Sequence, residues 1–253
     1  MSDAYITGFR VSDIGICESL KVIAFAHEDY EPINKVGMLL NIIDTENFGS
    51  LTFWKYDPLG AEILQKINKL DFGQRISKLL QDKDSKVFIV GTDDGELHVL
   101  AREFALEKKK DKGHYRNKLI SARIVGLSWV IQGKIIGIIG TDNFLKLFDI
   151  SELKVVGGGS LNKRLQGASV ISMEVDTSYR LFFATNKGTV MCYQVDPSTY
   201  KPTFLYTLTL QAEYSKLSIT SLLFSCNNLF LVCGHCILVY NVGSAIEPKS
   251  VKL

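Results

Sequence analysis

Long apolar runs are missing from this 253-residue chain. The longest, such as Lys134–Gly140 (KIIGIIG) and Leu229–Val232, are strand-sized. Gly, Asn or charged residues cut them well short of the roughly 18 residues that span a bilayer, so no membrane insertion is expected. The N-terminus MSDAYITGFRVSD has neither the basic nor the apolar stretch of a secretory signal. Cysteines number five, an odd count that argues against a disulfide framework. Both absences lead to the cytoplasm as the expected compartment, with the nucleus as the alternative. Charge of one sign is lacking too: 29 Lys and Arg stand against 27 Asp and Glu. Any affinity for nucleic acid or lipid would therefore have to come from a local patch.

Catalytic signatures are equally scarce. The four histidines, His27, His98, His114 and His235, form no H-x-x-x-H or H-E-x-x-H pair. There is no G-x-S-x-G, and Gly157-Gly158-Gly159-Ser160 lacks the Lys of a phosphate loop, so it reads as a flexible corner between strands. Cys233-Gly234-His235-Cys236 looks like the tetrapeptide of disulfide isomerases, but it lies between LFLV and ILVYNV, two apparent strands, with no helix to stabilise a thiolate. It reads as a β-turn whose cysteines act as small apolar residues. Asp93-Asp94 precedes a Gly and is explained by hairpin chemistry. No catalytic residue, metal ligand or cofactor is expected, and the chain is read as a non-enzyme.

What is present is a repeat. Five segments share one grammar: an apolar-alternating strand, a turn, a second apolar strand, a tight polar turn, and a third strand ending in a large apolar residue. They are Leu20–Asp57, with a longer first turn, then Arg75–Ala101, Arg123–Ile150, Ser169–Val195 and Ser218–Val242. Their ends advance in steps of 44, 49, 45 and 47 residues, the length of a blade of four short strands. Val, Ile, Leu, Phe and Tyr dominate the strand positions and no run keeps a 3.6-residue period, which predicts an all-β fold. Ala61–Ile67, Leu153–Gly157 and Phe204–Leu210 supply fourth, outer strands, while the second unit's is poorly defined near Phe104–Glu107. The last unit has no good outer strand after Val242, since the following segment is short and holds Pro248. Placing the orphan strand Ala4–Val11 there, against Cys236–Val242, closes a ring and removes an open edge. The expectation is one domain over residues 1–253, a β-propeller of about five four-stranded blades closed by the N-terminal strand. The alternative is an incomplete propeller completed by a partner.

Gly113-His114, the turn residue Asp142 and Phe148-Asp149 give the third unit marks that resemble a WD40 repeat, with its Gly-His near the start and Trp-Asp at the end. Elsewhere the third strands end in Trp54-Lys55, Leu100-Ala101, Tyr193-Gln194 and Tyr240-Asn241, and Gly234-His235 falls in a late turn. The resemblance implies a network within the third blade among His114, Asp142 and Ser128, with Phe148 at the Trp position. It also implies a scaffold that presents binding surfaces within a larger complex.

One charge feature stands out. Lys108–Lys118 carries six Lys or Arg residues around His114 and Tyr115, and reads as a solvated loop between the second and third blades. The expected function is a protein–protein interaction scaffold in an intracellular complex, its partners other proteins or acidic peptides. The candidate surface is the end carrying the inner hairpin turns and the loops into each innermost strand, with Lys110, Lys112, Tyr115, Arg116, Lys163, Arg164 and Tyr214 as binding residues. The alternative is a nucleic-acid or phospholipid binder using the Lys108–Lys118 lip. The Phe-Arg-Arg-Gly motif by which some propellers bind phosphoinositides is lacking, since Phe9-Arg10 has no second Arg.

Overall fold

A computed structural model describes residues 11–17, 22–27, 49–56, 64–82, 86–107, 113–210, 218–233, 236–242 and 249–251. The chain divides into two compact units, Met1–Lys118 and Leu119–Leu253. The fold is all-β. The described strands form five four-stranded antiparallel sheets of propeller-blade type, each a meander of consecutive strands.

The first unit holds two sheets. The first comprises β1 (Val11–Cys17), β2 (Val22–His27), β3 (Ser50–Tyr56) and β4 (Leu64–Asp71). The second comprises β5 (Ile76–Gln81), β6 (Val87–Thr92), β7 (Glu96–Ala101) and β8 (His114–Lys118), with the short helix α1 (Arg102–Glu107) before β8. The second unit holds three. They are β9 (Ile124–Ile131), β10 (Ile135–Gly140), β11 (Phe144–Asp149) and β12 (Lys154–Ser160); β13 (Val170–Val175), β14 (Arg180–Thr185), β15 (Thr189–Val195) and β16 (Pro202–Thr209); and β17 (Ser221–Ser225), β18 (Asn228–Cys233), β19 (Cys236–Asn241) and β20 (Lys249–Val251). The four-residue helix α2 (Asn162–Leu165) links β12 to β13. First strands lie beside first strands, β1 by β5 in one unit and β9 by β13 by β17 in the other, so each sheet is entered from its inner edge.

Hydrophobic burial explains the sequence grammar. Leu181 and Phe183 of β14 enter one core with Met191, Tyr193 and Val195 of β15, while Phe182, Ala184, Val190 and Cys192 enter the other. Successive side chains alternate across a strand, so a run like RLFFAT is continuously apolar only because both its faces are covered. The outer strand β16 instead alternates between half-buried and exposed positions. In the first unit Phe53 packs edge-on to Phe88 at 4.9 Å within a core shared by Leu51, Ile76 and Leu100.

The repeat is also written in the backbone. A one-residue register shift, the mark of a β-bulge, follows the start of β1, β5 and β13 and occurs at the same end of β9, leaving Ser12, Ser77, Ile171 and Val125 as extra residues. The inner turns match as well: Gly95, Asn143 and Gly188 all have positive φ, and their amides donate to Thr92, Gly140 and Thr185 at 2.9–3.2 Å. Close approach of sheets needs glycine elsewhere. A Cβ on Gly126 would lie 2.5 Å from Ile139 Cγ2 and 2.6 Å from Met173 Cβ.

Several expectations are corrected. The first sheet opens with β1, so VIAFAH is its second strand, not its first, and β2 pairs directly with β3. Residues 28–48 between β2 and β3, and with them the longer first turn expected within Leu20–Asp57, lie outside the described residues. In the second sheet Phe104–Glu107 is helical, and the outer strand is β8, drawn from the segment read as a solvated loop. In the third, Gly157–Ser160 belongs to β12 and not to a corner: Tyr200 O would be 2.3 Å from a Cβ on Gly157, so the strand there passes too close for a side chain. In the last, β20 fills the outer flank of β19 through Val239↔Val251 and Asn241↔Lys249. That flank is thus taken by the chain's own C-terminal segment. Val11 pairs with His27 instead, and residues 4–10 lie outside the described residues.

Candidate interaction surface

In the second unit, the inner hairpin turns and the connections into each first strand share one end of the sheets. The β12–β13 connection is fixed there by a single buried side chain. Asn143 occupies the left-handed position (φ 61°) that Gly95 and Gly188 fill in their turns, and unlike glycine it has an amide to use. Its Nδ2 donates to Asn162 Oδ1 at 2.9 Å and to Ala168 O at 3.2 Å, and its Oδ1 accepts from the Val170 amide at 2.8 Å. A turn of the third sheet thereby holds the strand entry of the fourth. Lys187 Nζ donates to Gln166 O at 3.0 Å and secures the middle of the connection.

Lys163 and Arg164 stand exposed on α2 within this pinned segment. The Arg164 guanidinium lies over the Phe204 ring, 4.6 Å from its centroid, and Phe204 is in turn edge-on to Tyr193 at 5.4 Å. The stack orients Arg164 and leaves its charge on the surface. The opposite end of these sheets is equally rigid. Asp149 caps Ser151 and Glu152, and Asp196 accepts from Ser198 and Thr199, which lowers its carboxyl to about 2. Asp176, almost fully buried, accepts from Arg180 Nε, and Arg180 reaches Val242 O at 2.8 Å to tie the fourth sheet to the fifth.

In the first unit the cross-strand register of β7 and β8 assembles a different cluster. His98 faces Arg116 and Leu100 faces His114, which places the two imidazoles on a diagonal. His98 Nδ1 and His114 Nε2 are 3.0 Å apart and share one proton between them. Phe72 meets His98 edge-on at 4.7 Å, and Phe104 from α1 lies 4.9 Å from His114. Arg116 forms two 2.9 Å hydrogen bonds to Glu96, whose Oε2 is 3.4 Å from His98 Nε2. Burial and the neighbouring His114 push His98 down to about 4, with Arg116 adding to the shift and Glu96 opposing it. Desolvation first and Arg116 second lower His114 too. Both rings are therefore neutral near pH 7, so one can donate to the other across the 3.0 Å contact.

No protein-family model matches the chain, and no curated protein matches it. The residues themselves carry the functional argument. Of the seven expected binding residues, Lys110, Lys112 and Tyr214 lie outside the described residues. Tyr115 is half-buried on β8, where its hydroxyl accepts from Asn117 Nδ2, and Arg116 is exposed but committed to Glu96. Lys163 and Arg164 are brought together on α2.

The WD40-type network takes another course in these residues. His114 opens the outer strand of the second sheet and bonds to His98, whereas Asp142 accepts from the Phe144 amide. Sequence reasoning passed over Asn143 and the His98–Glu96 pairing. The first carried a faint signal, an Asn at the place where two other turns have Gly. The second had none, because it exists only once β8 is known to be a strand. Among the described residues, no three His, Cys, Asp or Glu side chains converge on a metal-binding arrangement.

Proposed function

We propose that the chain is a divergent relative of WD40 propellers and a non-enzymatic protein–protein interaction scaffold. It belongs to a larger complex in the cytoplasm, or in the nucleus, and holds acidic peptide segments of its partners. The observation that carries this reading is the exposed Lys163–Arg164 pair on a connection pinned by Asn143 and Lys187. A basic pair on a rigid support loses little conformational freedom on binding a carboxylate, which is where affinity for acidic segments comes from. Lys110 and Lys112 extend the same sign of charge in sequence beside β8. The alternative, a nucleic-acid or phospholipid lip, is weakened by Arg116, because a guanidinium already paired bidentately with Glu96 is not free to grip a phosphate.

The test is affinity purification with mass spectrometry on the wild-type chain and on the double variants K163E/R164E and K110E/K112E. Loss of acidic-segment partners in either variant is the expected result, and an unaltered partner profile in both refutes the reading. A partner set dominated by nucleic acid, with affinity falling steeply as salt rises, would assign the surface to phosphate binding instead.

A further inference from the structure

The hairpin between β18 and β19 ends in two cysteines. Cys233 and Cys236 lie directly opposite one another in the antiparallel register. Both point to the side of the sheet that packs on β14 and β15, Cys233 fully buried and Cys236 half-buried at its margin. Cys236 Sγ is already 3.3 Å from the Cys233 carbonyl oxygen.

The other sheets show what side chains at these positions do. Thr185 and Thr189 close the equivalent hairpin of the fourth sheet, with their hydroxyl oxygens 2.7 Å apart. In the second sheet the pair is Thr92 and Glu96, joined through the Thr92 hydroxyl and the Glu96 amide at 3.0 Å. In the fourth sheet, then, the side chains at the two ends of this hairpin meet, and in the second a side chain from one end reaches the backbone of the other. In the fifth sheet two residues separate the paired cysteines, one fewer than separate Thr185 from Thr189 or Thr92 from Glu96. Directly paired antiparallel residues have Cα atoms about 4.5–5.5 Å apart. A disulfide spans about 4.4–6.8 Å, so direct pairing puts the two cysteines within reach of a bond.

We propose that Cys233 and Cys236 are a modification site, forming a reversible disulfide by exchange with a small-molecule disulfide of the glutathione type. Cys236, the more accessible sulfur, attacks as the thiolate, forms a mixed disulfide and releases one glutathione thiol. Cys233 then gives up its proton and attacks the Cys236 sulfur, expelling the second glutathione. The protein loses two hydrogens and one oxidised glutathione becomes two thiols, so electrons balance. Burial and the facing Cys236 hold the Cys233 thiol above its ordinary range. Less of Cys233 therefore stands as the attacking thiolate, which lowers the rate of the second step. Of the other cysteines whose side chains are described, Cys192 is buried beside Tyr206 with its thiol pushed up to about 11, and Cys226 is exposed in the β17–β18 turn, so neither has such a partner.

The test uses the full chain with Cys226→Ser to remove the exposed competitor. It is equilibrated with mixtures of oxidised and reduced glutathione, quenched in acid, alkylated and mapped by mass spectrometry. A Cys233–Cys236 disulfide is expected, with an equilibrium constant roughly tenfold or more above that of the same chain in concentrated urea, where the hairpin no longer holds the sulfurs together. Further substitution by Cys236→Ser should abolish it. The proposal fails if both thiols stay alkylatable or if Cys236 stops at the mixed disulfide. It fails equally if the folded chain oxidises no more favourably than the unfolded one.

Discussion

Acid should loosen the first unit through His98. Its ring is held near 4 where an unfolded histidine titrates near 6.5. Because the folded pKa is the lower of the two, the unfolded chain takes up the proton first. The contribution is thus complete above about pH 6.5 and is lost as pH falls toward 4. A gap of about 2.5 pH units corresponds to roughly 3 kcal/mol, of which about 2 kcal/mol has gone by pH 5. The structural event is plain: once both imidazoles are cationic neither can accept, so the 3.0 Å bond between β7 and β8 breaks. Glu96, which would welcome the charge, is already shared with Arg116.

The assay is urea unfolding at pH 7.5 and pH 5, read by fluorescence. The chain has two tryptophans, Trp54 on β3 and Trp129 on β9, so Trp129→Phe leaves a reporter in the first unit alone. His98→Phe keeps an aromatic ring against Phe72 and cannot titrate. In that variant the acid loss should shrink by about 2 kcal/mol. Parallel pH profiles for the chains with and without His98→Phe would refute the assignment.

Two further outcomes concern the second unit. Asn143→Gly keeps the turn and deletes the bonds to Asn162, Ala168 and Val170, so it should cost about 2 kcal/mol in urea unfolding; Asn143→Ala should cost about 1 kcal/mol more, because a Cβ is strained at φ 61°. Unchanged stability in Asn143→Gly would show that the amide does nothing beyond tolerating the turn. Arg180→Gln strips the buried Asp176 carboxylate of its cation and should lower stability by about 3 kcal/mol, with little response to added salt; a loss that vanishes in salt would mark the pair as a surface interaction.

The inner elements were legible in the sequence because burial on both faces leaves an unmistakable mark. IIGIIG, RLFFAT and VFIVGT stand out between turns of Asp, Asn and Gly, and the period between them gives the blade count. Three of the outer strands were legible too, since Ala61–Ile67, Leu153–Gly157 and Phe204–Leu210 fall on β4, β12 and β16, but two were not: HYRNK is polar with one strand beside it and reads as a loop, and β20 is three residues long behind a proline. The start of the first sheet was misread for a related reason: its inner strand is VSDIGIC, with no continuous apolar run, while VIAFAH beside it looks like a beginning. Lys163 and Arg164 fall on the connection into β13 that the repeat order predicts, where α2 holds them, but no capping residue announces that helix. His98 could not be found without the register of β8.

The fourth sheet also acts as a mechanical element. Because neighbouring residues of β14 and β15 enter different cores, unfolding of that sheet bares side chains on both its faces, those packed toward the third and those packed toward the fifth. Local opening in the second unit should accordingly come in large steps. Amide hydrogens of β14 and β15 should exchange only through an event that exposes both cores together, while β16 and the connections exchange one at a time. A ligand seated on α2 would then feel a foundation that yields as a block or not at all.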